Sequence, residues 1–222
     1  GILNGTSNFI YSMMNEKGYS FEDALSEAQQ EGFAEANPSD DIEGLDAAYK
    51  LCILASMLIG QTVPVSMVNV TSYNKINKFD FDYANTKGYV IKPLAIFRQH
   101  QNGIELRVEP CFVLKASPLG VVDNQMNGLV LDIEKVGPTC LVGIGAGGES
   151  TATAIFADLC QALFSLPKKT LNSKAPPFEI NINKDFNSAY YLRAVFSSAR
   201  VMSNVVTDSC KLEGIDLLGP TE

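Results

Sequence analysis

Tyr89-Val90-Ile91-Lys92-Pro93-Leu94-Ala95-Ile96-Phe97-Arg98-Gln99-His100-Gln101-Asn102-Gly103-Ile104-Glu105-Leu106-Arg107-Val108-Glu109-Pro110-Cys111-Phe112-Val113-Leu114 is two β-rich runs separated by an Asn-Gly turn. Asn-Gly suits the tight hairpin because that turn needs positive φ at its central residues. The pattern predicts strands over 89–97 and 104–114, paired antiparallel, with His100 in an exposed loop between them.

Upstream the sequence is helical. The apolar positions of Asn8-Phe9-Ile10-Tyr11-Ser12-Met13-Met14 fit a helix that Gly18 ends. Ser20-Phe21-Glu22-Asp23 is a capping-box pattern opening a second helix to about Glu31, and Gly32 stops it. A loop over 33–39 follows, where Pro38 keeps Asn37 out of helical geometry. Asp40 or Asp41 then caps a third helix reaching Ile59, and its second half is apolar all round, which means burial.

After Gly60 the character becomes β-rich and turn-bounded, with further strands expected over 63–70, 119–122, 129–136 and 140–143. A short polar helix and loop are expected over 74–87 and a strong helix over 150–166. Residues 167–177 read as a linker: lysines, small residues and a Pro-Pro pair. Strands at 178–182, 190–196 and 215–218 with a helix at 200–212 would make a small βαβ-type appendage. The fold class expected is α+β: a mixed, largely antiparallel open sheet covered by helices on one face, plus that appendage.

The 222 residues are 46% apolar and 19% charged, which allows a core and excludes a disordered chain. A net charge of -8 argues against a partner that is nucleic acid or an anionic membrane, and the longest strongly apolar run, 51–60, is too short to cross a bilayer. The first sixty residues hold ten acids against Lys17 and Lys50, a net of -8, and the remainder is neutral. The excess is either a set of solvated acidic helices or an acidic site for a cationic small molecule. Five dispersed cysteines, no C-x-x-C and a single histidine argue against a metal site and against disulfides. Free thiols in a reducing cytoplasm are expected, and no basic, apolar leader opens the sequence.

Asp46 and Lys50 lie four apart in the expected third helix and share a face. They are either a surface ion pair worth about 0.3–0.5 kcal/mol or a proton donor with the carboxylate that orients it. Their stripe continues into apolar Ile53, Leu54 and Met57, which places the pair at the rim of something buried. Glu35, in the loop before that helix, is either a solvated acid or a site for an ammonium group. Gly143-Ile144-Gly145-Ala146-Gly147-Gly148 matches G-x-G-x-x-G between a strand and a helix. No acidic strand end follows about twenty residues on, as a complete dinucleotide unit would require, so a tight strand-to-helix turn explains it equally well.

Three segments together resemble one family. Gly1-Ile2-Leu3-Asn4-Gly5-Thr6-Ser7-Asn8-Phe9-Ile10 is similar to the opening of the homoserine dehydrogenase catalytic domain. Glu27-Ala28-Gln29 through Gly32-Phe33-Ala34-Glu35-Ala36-Asn37-Pro38, continuing into Asp41-Ile42-Glu43-Gly44-Leu45-Asp46-Ala47-Ala48-Tyr49-Lys50-Leu51, is similar to its central motif. The glycine turn with Thr151-Ala152 and Ala157-Asp158-Leu159 is similar to its last helix. The resemblance covers about residues 1–170, leaving 171–177 as linker and 178–222 resembling part of an ACT domain, with Tyr190-Tyr191-Leu192-Arg193-Ala194 as its first strand.

The resemblance implies reduction of L-aspartate 4-semialdehyde to L-homoserine with NADP or NAD, on the route to threonine and methionine. It implies Lys50 and Asp46 as the proton-transfer pair, and Glu35, Asp41, Gly5, Thr6 and Phe33 at the substrate, Phe33 standing where a tyrosine is common. Gly145, Gly147 and Thr151 would lie at the cofactor. It implies a cytoplasmic homodimer formed through the sheet. Family enzymes carry an N-terminal Rossmann domain that is absent here, so the isolated piece is expected to be inactive. Ser150 stands where a proline is usual, Asn37 where an aspartate is frequent, and Ser197-Ser198-Ala199-Arg200 where an ACT domain has Pro-Gly. The alternatives are a non-catalytic dimerisation module and an amino-acid sensor centred on the tail.

Overall fold

The computed structural model describes residues 1–101, 103–164, 180–182, 189–191 and 193. The chain divides into two units, Gly1–Lys184 and Asp185–Glu222, and every element named here belongs to the first. The expected linker, the helix over 200–212, the strand over 215–218 and most of the strand over 190–196 lie outside the described residues.

Helices α1 (Gly5–Lys17), α2 (Phe21–Gln30), α3 (Ser39–Ile42) and α4 (Leu45–Ile59) come first. Strand β1 (Asn69–Val70), helix α5 (Lys78–Thr86) and strands β2 (Tyr89–His100), β3 (Gly103–Leu114), β4 (Met126–Ile133) and β5 (Gly137–Ile144) follow, then helix α6 (Gly148–Phe164). The hairpin forms as its sequence dictates, β2 and β3 pairing antiparallel from Tyr89↔Leu114 to His100↔Gly103. β1 adds to β3 in parallel, and β4 and β5 form a second antiparallel pair. The Gly1–Leu3 segment joins the two sets. Ala95 N–H donates to the Gly1 carbonyl at 2.8 Å, and Ile2 exchanges hydrogen bonds with Gly128 of β4 at 2.6 and 3.0 Å. The result is the mixed, largely antiparallel α+β arrangement expected.

Residues facing each other across an antiparallel pair share a face. One face of the hairpin carries Ile91, Ala95 and Phe97 with Phe112, Val108, Leu106 and Ile104, and it packs into the core with α1, α4 and α5. α1 is the centre of that core, with every residue from Thr6 to Met14 buried. The other face carries Lys92 and Arg98 opposite Cys111 and Glu105.

Five expectations are corrected. The second half of the third helix is not buried on all sides, for only one stripe of it packs on the core and Ile53, Met57 and Leu58 are 61%, 75% and 61% exposed. The third helix is broken. Gly44 at φ 81° and ψ 10° separates α3 from α4, and a Cβ there would stand 3.0 Å from Val108 Cγ1 and 3.2 Å from Val70 Cγ1. The close approach of sheet to chain needs a glycine in a left-handed conformation, and that conformation ends a helix. The strand expected over 63–70 is only Asn69–Val70, because Pro64 leads into a 3-10 turn at Val65–Met67. The strand expected over 119–122 is a turn, held by Gly120 N–H on the Ser117 carbonyl at 3.0 Å. His100 is the last residue of β2 rather than a loop residue, with Nε2 3.1 Å from Glu105 Oε2. No helix among the described residues is long and apolar enough to cross a membrane.

Candidate active site

The break at Gly44 positions two acids. Asp41 ends up on α3 and Asp46 in the first turn of α4, and one side chain of the Gly1–Gly5 segment reaches both. Asn4 Nδ2 donates to Asp41 Oδ1 at 2.6 Å and to Asp46 Oδ2 at 2.8 Å. Asn4 also caps α1, its Oδ1 accepting from Ser7 N–H at 2.8 Å. Lys50 Nζ donates to Asp46 Oδ2 at 2.7 Å and to the Leu3 carbonyl at 3.1 Å. Both members of the pair keep a path to solvent, with side chains 44% exposed for Lys50 and 31% for Asp46. A tethered but accessible ammonium can act on a bound molecule, whereas a sealed one cannot.

Burial lifts the Asp41 carboxyl above its ordinary range, and neighbouring Asp46 adds to the lift. The Asn4 amide, the Thr6 hydroxyl and the Lys50 ammonium act in the opposite direction. Thr6 Oγ1 donates to the Phe33 carbonyl at 2.7 Å, tying the loop before α3 to the start of α1. Phe33 packs on Phe9 with ring centroids 4.9 Å apart.

Gly5 is the first residue of α1, and that first turn holds no acidic side chain. The Leu3 carbonyl that receives Lys50 also takes Asn127 Nδ2 of β4 at 3.4 Å, and the glycine turn packs against that same amide. A Cβ on Gly145 would overlap the Asn127 amide, so the turn passes this close only as glycine. Asn127 Oδ1 is buried without a hydrogen-bond partner among the described residues. Gly147 immediately precedes α6, its carbonyl accepting from Thr151 N–H and Ser150 Oγ at 3.0 Å each.

The structure thus brings Gly5, Thr6, Phe33, Asp41, Asp46, Lys50 and Gly145 to one end of α1 and α4. Glu35 stands apart. It is exposed, its carbonyl accepts from Gln29 Nε2 at 3.1 Å, and its carboxylate has no partner among the described residues. Sequence reasoning missed Asn4 and Asn127. Both are uncharged amides with no periodic signature, and only the N-cap position of Asn4 was available as a signal.

A family model described as Homoserine dehydrogenase matches residues 1–160. A homoserine dehydrogenase of Helicobacter pylori is 39% identical over 201 residues, covering 90% of this chain and 48% of that protein. A crystal structure of a homoserine dehydrogenase from Thiobacillus denitrificans has 46% identity and a TM-score of 0.68, covering 70% of this chain and 36% of that one. A hyperthermophilic archaeal homoserine dehydrogenase mutant in complex with NADPH has 27% identity and a TM-score of 0.60, covering 75% and 47%. The chain spans about half the length of the curated relatives it matches.

Proposed function

The chain belongs to the homoserine dehydrogenase family, and from that premise we propose that it is the substrate-binding and proton-transferring part of an enzyme interconverting L-homoserine and L-aspartate 4-semialdehyde. The observation that carries the reading is the half-exposed Lys50 ammonium, held by Asp46 at 2.7 Å and the Leu3 carbonyl at 3.1 Å. Asp41 takes the substrate ammonium; Glu35, exposed and apart from this cluster, is not assigned to it. Gly5 and Thr6 offer the acid-free first turn of α1 to the substrate carboxylate. Phe33 closes the apolar side.

The residues here fit one edge of NAD(P)H through Asn127, whose Oδ1 packs beside Gly145 as a buried acceptor without a hydrogen-bond partner among the described residues. Gly145, Gly147 and Thr151 would hold that edge, and a dinucleotide-binding part outside this chain would hold the remainder. When bound, NAD(P)H supplies a hydride to the aldehyde carbon. Lys50 Nζ stabilises the charge developing on the carbonyl oxygen and gives it a proton, directly or through one water. Asp46 keeps that ammonium aimed.

The test is the full-length enzyme with L-aspartate 4-semialdehyde and either reduced nucleotide. Reduction is expected, with succinic semialdehyde, which lacks the α-ammonium, at least about 100-fold poorer in kcat/KM. Equal rates on both aldehydes would remove the acidic site from the account.

Three further readings go with this one. A homodimer through the sheet is supported by exposed Leu141, Val142 and Ile144 on β5, and sedimentation tests it. A cytoplasmic location is supported by free thiols at Cys52, Cys111, Cys140 and Cys160. The ACT-like reading of residues 178–222 rests on the sequence around Tyr190, and calorimetry with threonine tests it.

A further inference from the structure

Asn4 is only 5% exposed and uses every polar atom of its side chain. Oδ1 caps α1 through Ser7 N–H, and the two N–H bonds of Nδ2 point to Asp41 Oδ1 and Asp46 Oδ2. The preceding residue supplies the carbonyl that receives Lys50 Nζ. Capping alone does not call for an amide, because Asp and Ser cap a helix as well as Asn does. Two carboxylates converging on one point repel each other. A neutral group with two donors sits between them without adding charge, and an aspartate or a serine in its place could not make both donations.

We propose that Asn4 is a positioning residue for proton transfer, its amide clamping Asp41 to Asp46 so that Asp46 presents Lys50 in one orientation. The proposal deepens the functional reading above and rests on it. It predicts that cap and clamp separate. Asn4→Asp and Asn4→Ser both preserve the cap, and both lose the paired donation. The charged and titratable groups around the clamp are Asp41 from α3, Asp46 and Lys50 from α4, and buried Tyr73, which feels Asp46. Thr6 of α1 adds a hydroxyl. Asn4→Asp puts a third carboxylate among them, so one acid must hold a proton to higher pH.

The experiment compares both variants with the parent in the full-length enzyme, reading melting temperature, kcat, KM and the pH profile of kcat/KM with L-aspartate 4-semialdehyde. Near-parental melting is expected for Asn4→Ser and a lowered melting temperature at neutral pH for Asn4→Asp, whose added carboxylate is buried beside two others, with kcat lowered about 10- to 100-fold in both, the scale of a misplaced catalytic group. The acid limb should move to higher pH in Asn4→Asp and less in Asn4→Ser. Parental kcat, KM and pH profile in both variants would overturn the proposal and leave Asn4 a cap. Should Asn4→Asp fail to fold, Asn4→Ser, which adds no charge, decides by the same kcat criterion. A parent inactive on this aldehyde would overturn the functional reading itself; an active parent with unaffected variants would overturn only the role of Asn4.

Discussion

Two acid–base pairs in this molecule have nearly the same length and opposite settings. Asp46 and Lys50 meet at 2.7 Å on one turn of α4, with side chains 31% and 44% exposed. Glu105 and Arg107 meet at 2.6 Å on β3, with side chains 1% and 5% exposed. The buried pair is embedded further, for Arg107 also binds Glu109, and His100 and Arg98 approach Glu105 at 3.1 and 3.8 Å. Removing one partner of a sealed pair leaves a charge that water cannot reach, whereas removing one partner of an open pair leaves a charge that water re-solvates. Distance therefore says little about what a pair does. Burial assigns the β3 ladder to holding the fold and leaves the α4 pair free for chemistry.

The comparison can be broken at either end. Arg107→Ala leaves the buried Glu105 with only the partly exposed His100 and Arg98 among the described residues, and the account expects the largest loss of stability, about 3–5 kcal/mol, read as a lowered urea midpoint. Turnover per folded molecule should stay near that of the parent. Gly44→Ala sits between the two regions, since its Cβ would press on Val108 of β3 while straining the break that sets Asp41 against Asp46. A loss of about 1–3 kcal/mol is expected, together with reduced kcat, and a variant that lost stability alone would uncouple the break from the site.

Asp41→Asn probes the cost of the cluster. The folded protein raises the Asp41 pKa above its ordinary value of 3.8 and so favours the protonated acid. That contribution is fully present below the ordinary carboxylate range and is lost as pH rises through the raised value. The asparagine, which cannot ionise, should therefore melt higher than the parent at neutral pH, and the advantage should vanish in acid. An advantage that grew on acidification would reverse the assigned sign. Lys50→Ala should have the smallest effect on stability, within about 0–1 kcal/mol.

Legibility in the sequence followed the same divide. The hairpin, the Gly18 end of α1 and the capping box of α2 were readable because period and turn chemistry are local properties. The burial expected for the second half of α4 was not met, since its composition is apolar but Ile53, Met57 and Leu58 face outward. The break at Gly44 was not readable, because its cause is Val108, sixty-four residues away in the chain and 3.0 Å from where a Cβ would sit. The strand expected over 119–122 failed for a related reason. Four residues of β-like composition cannot outweigh the turn that carries Val122 and Asp123 to Lys92 Nζ at 2.7 and 2.6 Å. In the site, the charged residues announced themselves, since a lysine and an aspartate four apart on a helix must share a face. Asn4 and Asn127 did not, for an amide's role depends on what converges on it, and that is set by tertiary structure. Glu35 was readable as an acid beside the motif, but its loop leaves its carboxylate in solvent.

The central claim is that Lys50 transfers the proton while contributing little to the fold, and kcat of Lys50→Ala in the full-length enzyme at saturating L-aspartate 4-semialdehyde tests it most directly. The account predicts a fall of about 10²- to 10⁴-fold with melting temperature and KM close to those of the parent. A kcat equal to the parent's would contradict it.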